Sequence, residues 1–193
     1  MFMSCNLIGG WAHSRDLIYV TILVKKYHTK QKVFETLFLG EKFGMNAIIL
    51  NASLCPLIKS YWKETKGKIQ FISDCAGVGD VEKGIQISIE SGAAMCYIQG
   101  EITEKLLREN KSMEIVRNWI DKIKQHNVPA GIRAHSIEVI KQCVELGIKP
   151  DYWVKTLHHT NYWSARPNEE RHDNIWCVNP EETIRFMSTL EEP

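Results

Sequence analysis

The chain has 193 residues, 44% hydrophobic and 24% charged, and 24 Lys and Arg against 23 Asp and Glu leave a net charge of +1. This composition predicts one soluble globular domain, 1–193, with no electrostatic reason to bind nucleic acid or an anionic membrane surface. The longest apolar run, Leu17 to Val24, is far shorter than the roughly 20 residues that cross a bilayer, and the start MFMSCNLIGG lacks the charged head and long apolar centre of a secretory leader, so a cytoplasmic location is expected.

In chain order, one unit recurs: a helix-period segment, a turn near Gly or Pro, then a short apolar run. CNLIGG supplies a first strand. EKFGMNAIILNAS, TKGKIQFISDCA, ESGAAMCYIQG, QHNVPAGIRAHS and LGIKPDYWVKTLHH each carry a turn and a further strand. Between them the spacing predicts amphipathic helices at Lys32 to Phe43 with Val33, Leu37 and Phe43 inward, at Ser112 to His126 with Ile115, Trp119 and Ile123 inward, and at Ile137 to Leu146. A last helix, Pro180 to Leu190, is expected to start at Asn179 as its cap. Alternating strands and helices predict an α/β fold with a parallel sheet.

Regular strand spacing and the lack of a GxGxxG after the first strand favour a TIM-type (β/α) barrel, with an open six-stranded sheet as the alternative. A complete barrel has eight units and about 250 residues, so six units point to a barrel incomplete at its C-terminal end. The first and sixth strands would then offer sheet edges through which copies pair as a homo-oligomer. The six cysteines form no CxxC motif and read as free, mostly packed thiols, with Cys75 and Cys177 the two to watch.

Barrel chemistry sits where strands end, and side chains alternate by two. Turning Phe71 outward sends Gln70, Ile72 and Asp74 inward, and the same rule turns Asn51, Gln99, Arg133, His135 and Lys155 inward. Asp74, His135 and Lys155 are the catalytic candidates. Asn51, Gln99 and Arg133 are the substrate-binding candidates, joined by Tyr162 and Trp163 from the long patternless segment Thr160 to Val178, which reads as a lid over a polar ligand or as a packing arm. His13, His158 and His159, with His135 and Asp74, are candidate ligands for a divalent metal, although no short metal motif is present. A desolvated Lys155 would be an amine nucleophile toward a carbonyl, as in class I aldolases; paired with Asp74 or with a ligand carboxylate it would stay protonated.

NLIGGW, TKQKVFETLFLGEKFGMNAIILNAS and VPAGIRAHSIEVIKQCVELGIKPDYWVK together resemble the aldo/keto reductase barrels over about Asn6 to Lys155. The resemblance implies NADP-dependent carbonyl reduction by a tetrad of Asp, Tyr, Lys and His. At the matching positions this chain carries Asn51, Asp74 and Gln99, with no Tyr after Asn51; His135-Ser136 stands where the family holds the nicotinamide amide. The expected function is therefore an enzyme acting on a small polar metabolite bearing a carbonyl or hydroxyl group, with a site unlike the reductases'. The alternatives are a metal-dependent hydrolase or lyase using the histidines, and a non-catalytic binding domain or inactive fragment.

Overall fold

The computed structural model describes residues 2–11, 19–157 and 179–193. Six strands, β1 (Phe2–Ser4), β2 (Ala47–Leu50), β3 (Gln70–Ser73), β4 (Met95–Ile98), β5 (Ala130–Ala134) and β6 (Tyr152–Lys155), lie in sheet order β1-β2-β3-β4-β5-β6. Chain order and sheet order coincide, with parallel pairing such as Leu50 beside Ser73 and Ala134 beside Lys155. A doubly wound open sheet reverses strand order at a switch point. Without that reversal, the topology is that of a TIM-type (β/α) fold through six units.

The helices are α1 (Asn6–Gly9), α2 (Tyr19–Tyr27), α3 (Lys30–Lys42), α4 (Cys55–Thr65), α5 (Val81–Glu90), α6 (Gly100–Arg108), α7 (Glu114–Lys124), α8 (Ile137–Glu145) and α9 (Pro180–Met187). None of the helices among the described residues is long and apolar enough to cross a membrane. The chain divides into two compact units, Met1–Cys96 and Tyr97–Pro193.

In the first unit, Thr29 caps α3 by accepting the Lys32 N–H, and Val33, Leu37 and Gly40 bury one face of that helix. Gly40 packs closely against Met3, whose flexible side chain would have to shift to admit a Cβ that would stand 2.8 Å from its sulfur. Asp80 caps α5 through the Lys83 N–H at 2.8 Å, and Val81, Gly84, Ile85 and Ser88 face the core. Each fully buried Ile or Leu, such as Ile48, Leu50 and Ile58, contributes about 1.5–3 kcal/mol. In the second unit, α7 buries Val116, Trp119, Ile120 and Ile123, and α8 buries Ile137, Val139, Ile140 and Cys143. Ser136 caps α8 through the Glu138 N–H.

Several details correct the sequence reading. CNLIGG is not the first strand: Phe2–Ser4 pairs with Ala47, Ile48 and Ile49, and Asn6–Gly9 curls into a helical turn closed by Gly9 N–H to Cys5 O. A helical period cannot be told from a strand in so short an apolar run. Phe43 is 76% exposed, because α3 ends at Lys42 and the chain leaves the helix there. Ile115 is 40% exposed and Val116 takes its place, a shift of one residue in the buried face. Gln70 is exposed at the entry of β3. Asn179 precedes α9 but makes no cap bond to the backbone; its amide donates to Glu182 at 2.9 Å. At the outer edge of β6, the Trp153 N–H donates to the Pro193 carbonyl at 2.7 Å.

Five of the six cysteines, Cys5, Cys55, Cys75, Cys96 and Cys143, are buried and are not in disulfides. Cys177 lies outside the described residues. The Cys75 thiol is pushed far up by its hydrogen bond with Cys96 and by burial, so it is a poor nucleophile.

Candidate functional site

In the first unit, β2 and β3 end side by side in polar residues. The Asn51 amide donates to both carboxylate oxygens of Asp74 at 3.2 Å, and both residues are buried. Asp74 also accepts the Ala76 N–H at 2.9 Å, and Asn51 Oδ1 accepts the Ser53 N–H and hydroxyl. Asn51 and Asp74, each the first residue after its strand, are thus brought into contact. These bonds also close the two turns after the strands, a structural task that the same residues perform. Two open cavities of this unit, about 420 and 580 Å³, lie elsewhere, against Phe34, Phe38, Glu41 and Glu64.

The second unit holds a denser polar group at the end of β5. His135 is 6% exposed and Glu104, from α6, is 2% exposed. Glu104 Oε1 accepts the backbone N–H of His135 at 2.6 Å and of Ser136 at 2.7 Å, while Oε2 stands 3.2 Å from His135 Nδ1. A buried carboxylate needs this density of donors, and the N-terminus of α8 adds the positive end of a helix dipole. The imidazole lies against Gly100, where a Cβ would be 3.0 Å from its Cε1 and Nδ1. Lys155 Nζ donates to the carbonyls of His135 and Thr156, each at 2.6 Å.

Arg133, two residues before His135, reaches the Tyr97 hydroxyl from Nη1 at 3.4 Å. Gln99 is half-buried at the start of α6 and makes no cap bond there. The catalytic and binding candidates therefore divide: Asn51 and Asp74 lie in the first unit; Gln99, Arg133, His135 and Lys155 lie in the second. His13, His158, His159, Tyr162 and Trp163, with the whole Thr160–Val178 segment, lie outside the described residues. Among the described residues, no group of three or more His, Cys, Asp or Glu side chains is arranged to hold a metal ion.

Glu104, Gly100 and Tyr97 escaped the sequence reading. Nothing local marks Glu104: the apolar residues of α6, Ile102, Leu106 and Leu107, are half-buried, while the fully buried face is formed by Gly100, Thr103 and Glu104. An acid on a buried helical face must have donors waiting for it.

No family model and no curated protein matches the chain. Among solved structures it is similar to a protein described as QR15, an aldolase, at 13% identity and a TM-score of 0.48 over 66% of this chain. The match takes in 61% of that protein's length.

Proposed function

We propose that this protein is an enzyme acting on a small polar metabolite bearing a carbonyl or hydroxyl group, with His135 as the group that moves the proton. The pairing of His135 with buried Glu104 carries this reading. In the tautomer that donates Nδ1–H to Glu104, the lone pair sits on Nε2, and the carboxylate offsets the charge that appears when Nε2 takes a proton. Ring, carboxylate and turn are held together by the bonds to the His135 and Ser136 amides, so the imidazole is oriented before any ligand arrives. The Lys155 ammonium, anchored on the His135 carbonyl, supplies a fixed positive charge for an oxygen that gains negative charge in the reaction. Asn51 and Asp74 are proposed as a substrate-binding and a catalytic group belonging to the first unit. Five buried cysteines outside disulfides support a reducing, cytoplasmic setting.

The test is an untargeted one. Wild-type protein and His135→Gln, which keeps the size but not the proton chemistry, are incubated with pooled cellular metabolites, and depletion is followed by mass spectrometry. Wild type should consume a carbonyl or hydroxyl compound, and the variant should be slower by about 10²–10⁴. Equal consumption by both proteins refutes the role of His135, and no consumption by wild type refutes the enzyme reading.

A further inference from the structure

Arg133 is the residue of β5 that is not fully buried, and its guanidinium is under-employed. Its Nε is buried without a hydrogen-bond partner, and its one hydrogen bond, from Nη1 to the Tyr97 hydroxyl, is long at 3.4 Å. Among the described residues no carboxylate pairs with it. Arg117 on α7, half-buried like Arg133, shows the contrast: it binds Glu114 at 2.8 Å and the carbonyls of Leu146 and Gly147. A half-buried guanidinium left unmatched carries a cost in the empty state, since partly desolvated charge needs a partner. A ligand anion removes that cost.

We infer that Arg133 is an anion subsite of the proposed catalytic centre, taking an oxyanion group, carboxylate or phosphate, on the substrate; the assignment of a substrate rests on the reading of His135 above. The planar guanidinium presents paired N–H donors that match the two oxygens of such a group. Position supports the pairing of roles. Arg133 lies in β5 and His135 directly follows its last residue, Ala134, so their Cα atoms stand no more than about 7 Å apart. Their side chains also meet neighbours three residues apart in the chain, Arg133 the Tyr97 hydroxyl of β4 and His135 the Gly100 that opens α6. A short acid whose oxyanion is held at Arg133 would put its neighbouring carbonyl or hydroxyl within reach of the imidazole. The substrate class narrows to small oxo or hydroxy acids, or their phosphorylated equivalents.

The experiment follows the Nε–Hε signal of Arg133 by ¹⁵N NMR while lactate, inorganic phosphate or neutral glycerol is added to the full chain. Lactate or phosphate should shift the signal saturably, glycerol should not, and the preferred anion tells carboxylate from phosphate. Arg133→Lys, which keeps the charge and loses the fork, should bind about tenfold more weakly, and Arg133→Gln should show no saturable anion binding by calorimetry. Arg133→Met should melt at or above the wild-type temperature, because it removes an unmatched charge. A missing shift, an equal response to glycerol, unchanged affinity in Arg133→Gln, or a lower melting temperature for Arg133→Met overturns the subsite. His135→Gln separates the two readings: it should lose turnover and keep anion binding. Anion binding in a wild type without turnover would sink the enzyme and leave the subsite standing, and turnover of neutral compounds without anion binding would do the reverse.

Discussion

Glu104 Oε1 receives the backbone N–H of His135 and of Ser136 at 2.6 and 2.7 Å, so one side chain from α6 closes the turn that begins α8. The same carboxylate reaches the His135 ring, which joins the stability of a turn to the orientation of the proposed acid–base group. Glu104→Gln keeps one acceptor oxygen but turns an NH₂ group toward donors. It should lower stability by about 1–3 kcal/mol, the worth of a buried charged hydrogen bond, measured by urea denaturation. Activity should fall further than stability, because the wrong tautomer of His135 is then favoured. Full activity in a folded Glu104→Gln protein would reduce Glu104 to a helix cap.

Gly100→Ala probes the ring from the other side. The new Cβ would meet His135 Cε1 and Nδ1 at 3.0 Å and the Ala134 Cα at 3.3 Å. Ala is the better helix former by up to about 1 kcal/mol, which offsets part of the crowding. Stability should therefore change by less than about 1 kcal/mol, while the His135 imidazole NMR signals move and turnover falls. Unchanged ring signals would show that the imidazole does not depend on this contact.

Gly77 holds the corresponding position beside Asn51. Its φ of +83° is a left-handed conformation, and a Cβ would fall 1.9 Å from Asn51 Oδ1. Gly77→Ala should cost roughly 2 kcal/mol or more, combining backbone strain with the clash. Adding Asn51→Ala removes the clash and not the strain, so the double variant should be more stable than the sum of the singles predicts. Plain additivity, read from thermal melts, would locate the whole cost in the backbone.

Tyr61 makes the fold sensitive to alkali. Burial, and then its hydrogen bond to Glu41, push the phenol up to about 12 from its ordinary 10.0. Cys143 is pushed up to about 12 by burial alone. An acid whose folded pKa is raised adds stability in full below its unfolded pKa and loses it as pH rises toward the folded value. Stability should hold to about pH 9, where the unfolded thiol begins to ionise, and decline from there toward about 12. Tyr61→Phe should flatten that decline in part, with the shares of the buried thiols Cys55, Cys75 and Cys143, all pushed up, left. An unchanged slope in Tyr61→Phe, followed by denaturation at stepped pH, would contradict the assignment.

Five of the six strands stand where alternating apolar runs and turn residues put them, because burial on a pleated strand is a local, period-two requirement. β1 was misplaced for the opposite reason: in Phe2–Ser4 the pattern is too short to declare itself, and only pairing with Ala47, Ile48 and Ile49 defines the strand. The buried faces of α3 and α7 were read one residue or one turn wide, at Phe43 and Ile115, since helical periodicity fixes a stripe but not its edge.

By itself the sequence determined the α/β class, the positions of β2 to β6 and the polar ends of those strands, and it named Asn51, Asp74, Arg133, His135 and Lys155. Tertiary structure decided which of these touch what. Asn51 meets Asp74 across β2 and β3, 23 residues apart; Glu104 meets His135 across 31 residues; Lys155 binds two backbone carbonyls. A carboxylate on an amphipathic helix looks like any solvated charge until the neighbouring strand brings it donors. Which helical face is buried, and beside which strand end, is a property of packing between segments distant in sequence, and no local pattern encodes it.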